Sequence, residues 1–171
     1  MSRDGELWIP RTMWEKRRQL SAVLNRSMMV GTPTLVLSCE DEVTFFSRIE
    51  VPAGEPLEYL QVASLLGADG PNATDLSRIM GNLGGKLAPD KRHAPGRFEQ
   101  VLVDDVDLII DLRSEEGAVA SMFALLYALK ARFPKILLFS NPLQNDHALE
   151  YFAGMRDFLE LHAPPGEQNA A

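Results

Sequence analysis

Apolar residues cluster most densely between residues 106 and 141, VDLIIDLRSEEGAVASMFALLYALKARFPKILLFSN. An apolar run precedes a capped, largely apolar helix, and a second apolar run follows it. That pattern predicts a βαβ unit with its strands covered on both faces. Ser114 is a suitable N-cap, Glu115 and Glu116 suit the positive end of the helix dipole, and Lys130 and Arg132 suit the other end. At 100° per residue Val119, Met122, Leu126, Leu129 and Phe133 share one face, which is predicted to lie on the sheet. The opposite face is a ridge of small residues, Ala120, Ala124 and Ala128. Either another helix of the chain (57–66 or the last helix) or a second subunit should cover it.

The pattern elsewhere predicts a short edge strand at 5–9 and a helix from Thr12 to about Met28. That helix opens with a Thr12-x-x-Glu15 capping box and carries Lys16, Arg17 and Arg18 on its polar face. The β-branched and aromatic runs 32–39 and 42–51, separated by Glu40-Asp41, read as a hairpin. Short amphipathic helices are expected at 57–66 and 74–80, a strand at 98–103, a tight turn at Asp104-Asp105 and a last helix from His147 to Leu161. Residues 81–97 are glycine- and proline-rich without periodicity and read as a mobile basic loop; 163–171 reads as a disordered tail. The expected fold is thus a single α/β (or α+β) domain over 1–162. Its mixed sheet contains an N-terminal hairpin and a C-terminal parallel βαβ unit, with helices on both faces.

Composition narrows the function classes. A net charge of −7 argues against a nucleic-acid surface. Cys39 is the one cysteine, so no intrachain disulfide forms, and the N-terminus has no apolar leader core. The longest apolar run, Ala118–Leu129, is too short for a bilayer. A cytoplasmic protein is expected.

Candidate chemistry is sparse. Where the two parallel strands end, Asp111, Arg113, Ser114, Ser140 and Asn141, with His147 nearby, would suit a polar or phosphorylated ligand. The acidic cluster Asp104, Asp105, Asp107, Asp111, Glu115 and Glu116 fits no metal-loop spacing. Gly81-x-x-Gly84-Gly85-Lys86 lacks the glycine and Ser/Thr of a phosphate-binding loop. His93, His147 and His162 have no zinc spacing. No metal or cofactor is expected. The first 30 residues carry a local +3 against −10 in the remainder, which suits docking of an acidic partner through Lys16, Arg17 and Arg18.

The stretch from Asp107 to Gly154 resembles the strand-helix-strand core of ClpP/crotonase-like proteins, and equally that of nucleoside deoxyribosyltransferase-like proteins. Glu115-Glu116 replaces the glycine pair of the first family, and Ser121 or Ala124 stands where the second has glutamate. The resemblance implies a βαβ unit and no activity. The expected function is therefore non-enzymatic, through contact with another protein or as a homodimer, in a regulatory, immunity or adaptor role. The alternative is a small enzyme or sensor of a nucleotide or other phosphorylated ligand at the strand ends.

Overall fold

In the computed structural model, which describes residues 4–61, 98–143 and 146–163, the chain is an α/β protein built on a six-stranded sheet. The strands are β1 (Gly5–Trp8), β2 (Thr34–Ser38), β3 (Leu57–Gln61), β4 (Gln100–Val103), β5 (Lys135–Phe139) and β6 (Leu159–His162), in the order β3-β2-β4-β5-β1-β6. Every pairing is parallel. Helices α1 (Met13–Val30), α2 (Glu42–Ile49), α3 (Glu115–Lys130) and α4 (Ala148–Phe152) make the described crossovers, with 3-10 turns at Val106–Leu108 and Ala153–Met155.

The order explains which face each helix takes. From β1 to β3 the chain steps toward one edge, and from β4 to β6 toward the other. Right-handed crossovers then put α1 and α2 on one face and α3 and α4 on the other. The two cores agree. Leu20, Leu24, Phe45, Phe46 and Ile49 pack on Val36, Leu102, Leu137 and Phe139. Met122, Leu125, Leu126, Leu129 and Phe152 pack on Leu7, Leu35, Val101, Ile136 and Leu138. β2 and β4 are buried at every position, as parallel strands covered on both faces must be, whereas β1 alternates buried and half-exposed.

The α/β class holds, but the sheet is wholly parallel and the hairpin does not form. Residues 42–49 have strand-like composition yet make α2. Asp41 caps it, accepting from Thr44 N at 2.9 Å and Thr44 Oγ1 at 2.6 Å, and Phe45, Phe46 and Ile49 fall on one helical face. Residues 57–61 form edge strand β3, because β2 offers them a free parallel edge. β1 is interior, between β5 and β6. The strand leading into α3 is β4: Asp105 takes a left-handed conformation (φ 54°), and the apolar run after it buries Val106, Ile109 and Ile110 in the core under α3. The last expected helix stops early, and Leu159–His162 instead joins β1 as β6. The expected helix at 74–80, the loop 81–97 and the tail from 164 onward lie outside the described residues.

Phe139 is fully buried at the end of β5, stacked on Trp8 at 5.5 Å between centroids. Phe139→Ala is expected to destabilise the fold by about 3–5 kcal/mol, read as a lower urea midpoint with unchanged slope.

Candidate functional site

The outgoing connections of β2 and β4 diverge, so the carboxyl ends of these neighbouring strands form the crevice where open parallel sheets take ligands. Ser38 ends β2 and Cys39 and Glu40 follow it, while Asp104 and Asp105 follow β4. The first turn of α1 adds Lys16, which is 2% exposed. Its Nζ lies 2.7 Å from Asp104 Oδ1, an ion-pair contact without hydrogen-bond alignment, and donates to Asp105 Oδ1. Ser38 Oγ donates to the other Asp104 oxygen at 3.0 Å, and Glu40 N donates to Ser38 Oγ at 3.2 Å. Beside this network Asp107, fully buried, accepts from Ser140 Oγ at 3.0 Å and from Asn141 N.

The residues of this crevice stand where a phosphate-binding loop places its chemistry. Such a loop, G-x-x-x-x-G-K-[ST], joins a strand to a helix and sets its lysine in the first helical turn. An acidic residue after an apolar strand then serves the magnesium. Residues 10–17, PRTMWEKR, run from β1 into α1 with Lys16 at the lysine's spacing, and the apolar β4 ends in Asp104-Asp105. Pro10 and Glu15, however, replace the two glycines, and Arg17 replaces the Ser or Thr.

The helix end is also closed by its own side chains: Thr12 Oγ1 accepts from Glu15 N at 3.1 Å and Glu15 Oε2 from Arg11 N at 3.3 Å. The cavity bounded by Lys16, Arg17, Glu40, Arg48, Asp104 and Asp105 measures about 20 Å³, room for a single water and not for a phosphate. The arrangement holds a buried cation between two carboxylates.

The five predicted ligand residues separate into two groups. Ser140 and Asn141 belong to the crevice, through Asp107. Asp111, Arg113 and Ser114 lie at the start of α3, where Arg113 pairs with Asp111 and Ser114 caps the helix. Arg113 forks onto Asp111 through Nε (2.9 Å) and Nη2 (2.8 Å), and Ser114 Oγ accepts from Gly117 N at 3.0 Å. The guanidinium's hydrogen bonds hold the Asp111 carboxyl below the usual carboxylate range. His147 opens α4 beside Asp146 and Glu150.

Of the interface candidates, Arg17 and Arg18 are exposed, and Arg18 stacks over Trp14 with its Cζ 4.8 Å from the ring. Lys16 is not on that surface, because the carboxylates at the end of β4 draw it inward. Ala120 and Ala124 are exposed and Ala128 half-buried, so no described helix covers the ridge. Sequence reasoning missed the Lys16 pair, although the spacing from β1 to Lys16 and the Asp104-Asp105 step were both visible.

A second concavity is larger. α1 leans over β4 and β5 and leaves one face of β1 open. Two adjoining hollows, about 440 and 550 Å³, share Trp8, Ala22 and Val23. Trp14, Arg18, Arg26 and Val30 of α1 form one wall of the combined groove, and Glu6, Lys135 and Leu137 of the sheet the other. Trp8 Nε1 is buried there with no hydrogen-bond acceptor among the described residues.

Lys16→Met should strand two buried carboxylates and destabilise the protein by about 3–5 kcal/mol in urea unfolding. Adding Asp104→Asn and Asp105→Asn should restore most of that loss. Burial, reinforced by Asp104 and Glu40, pushes the Cys39 thiol up to about 11. At pH 8 about one thiol in a thousand is then ionised. Alkylation by iodoacetamide should therefore be slow in the native protein and accelerate sharply in denaturant.

No protein-family model and no curated protein matches the chain. Among solved structures it is similar to the N-terminal domain of the DNA packaging ATPase from bacteriophage phi29. The sequence identity is 12% and the TM-score 0.47, covering 95% of this chain and 91% of that one. A likeness at that level carries no functional argument.

Proposed function

We propose that this protein is non-enzymatic and works through protein-protein contact in the groove along α1. The carrying observation is a contrast between its two concavities. The strand-end crevice, where a phosphorylated ligand would bind, is filled by Lys16 and its carboxylates and retains about 20 Å³. The groove is open, and it presents features that suit a polypeptide: exposed Trp14 and Val30, and exposed Ala22, which lines both hollows. Large aromatic residues with an arginine beside them are the usual anchors of such contacts.

The partner chemistry follows from charge. Arg11, Arg17, Arg18 and Arg26 are all exposed on or just before α1, in a chain of net charge −7. An acidic surface with an apolar centre is complementary. The cytoplasm is the proposed compartment, on the strength of the single cysteine; no described helix is long and apolar enough to cross a membrane.

Two measurements test this reading. Ala22→Arg, which fills the groove from an exposed position, should abolish retention of the physiological partner, while Ala124→Arg on the alanine ridge should leave it intact. ATP or GTP with magnesium should leave the thermal midpoint unchanged. A ligand at 100 times its dissociation constant would add about 2.7 kcal/mol, so a midpoint rise of several degrees would establish the phosphorylated-ligand alternative instead.

A further inference from the structure

Strands β1 and β6 are the most distant in sequence and are paired in register, Glu6 with Glu160 and Trp8 with His162. Residues two apart on a strand share a face, so all four side chains stand on the same side of the sheet. That is the side bearing α1 and α2, because Trp8 packs with the α1–α2 core. Neither helix covers this end of it: the side chains of Glu6, His162 and Glu160 are 21%, 29% and 50% exposed.

Glu6 Oε1 lies 2.8 Å from His162 Nε2, and Glu160 Oε1 lies 3.7 Å from the same nitrogen. One ligand atom from each of the three residues falls within 4.8 Å of the others. We propose that these three side chains form a divalent transition-metal site, with zinc the metal it suits best.

The chemistry and the geometry agree. One imidazole nitrogen and two carboxylate oxygens are a donor set for zinc, whereas magnesium and calcium call for oxygen alone. Zinc with ligands at 2.0–2.2 Å sets them about 3.4 Å apart. The separations found bracket that value, so closure requires only small side-chain rotations.

The histidine is already oriented. Its ring stacks on Trp8 at 4.1 Å and 14°, and Trp8 in turn stacks on buried Phe139. On binding, the proton through which Nε2 bonds Glu6 leaves that nitrogen, passing to Nδ1 of a neutral ring or to solvent from a charged one, and zinc takes its place. Three protein ligands leave one position open, as in sites that exchange water or take a group from outside. Lys135 opposes the ion, its Nζ lying 3.6 Å from Glu6 Oε2. The site therefore has a built-in competitor, which a zinc ion displaces toward solvent; that side chain is 58% exposed.

The site borders the partner groove, whose wall shares Glu6 and Lys135 with it, but zinc alone tests it, without the partner. After treatment with EDTA and its removal, the full chain is titrated with zinc chloride by calorimetry, expecting one zinc per chain. His162→Ala and Glu160→Gln should each weaken binding about tenfold or more. Glu160 is half exposed, so its variant separates ligand loss from misfolding. Lys135→Met should tighten binding, and His147→Ala, in the other described histidine-carboxylate cluster, should leave it unchanged.

In a Trp14→Phe background, cobalt should quench the fluorescence of Trp8, which touches the ligand ring. Absence of binding up to millimolar zinc would overturn the proposal. So would His162→Ala and Glu160→Gln variants that bind as the natural chain does, or loss of binding on His147→Ala.

Discussion

The charge of Lys16 is the constraint around which the strand ends are organised. An ammonium taken from water into a 2%-exposed position must be met at once by opposite charge, and Asp104 and Asp105 meet it. That requirement pins the first turn of α1 to the end of β4, a strand two places away in the sheet from the one α1 follows. It also fixes the left-handed Asp105, which turns the chain away from the sheet and under α3. Ser38 and Glu40 then close the network from the β2 side. A buried ion pair of this kind adds little net stability over an apolar core of similar volume. Its effect here is on shape: it occupies the crevice that a parallel sheet otherwise offers to ligands.

The same placement of α1 leaves the β1 end of the sheet open. With Leu20 and Leu24 committed to Leu102, Leu137 and Phe139, the helix cannot also cover the outer strands. The cost is visible at Trp8, whose ring is held between Phe139 and His162 while its indole N–H finds no acceptor among the described residues. Closing the strand ends and opening the flank are two results of one helix position.

Much of this was legible in the chain. The cap at Ser114, the buried face of α3 and the Thr12-Glu15 closure follow from local chemistry, and local chemistry is what a single sequence carries. The errors came where a non-local partner decided the outcome. Residues 42–49 have strand composition, but Asp41 and Thr44 nucleate a helix that buries Phe45 and Phe46. Residues 57–61 and 159–162 look helical until β2 and β1 offer them edges. Lys16 read as a surface residue because its two partners lie some ninety positions away. The Glu6, Glu160 and His162 cluster was invisible for the same reason, since no spacing along the chain relates the two ends of a sheet.

The register of β1 bears on how the molecule assembles. β1 has no neighbour among the strands that directly follow it; its hydrogen-bonding partners are β5 and β6, at the far end of the described chain. During synthesis β1 therefore emerges with both edges bare and stays so until β5 and β6 have been made. Contacts of such long sequence separation form late and slowly. The early chain must carry Leu7, Trp8 and Ile9 unpaired, in the company of an arginine-rich helix that keeps the segment soluble. β6, the last of the described strands, acts as the latch: it covers the outer edge of β1, and its arrival brings His162 onto Trp8, so that stacking of these two rings reports closure of the described sheet.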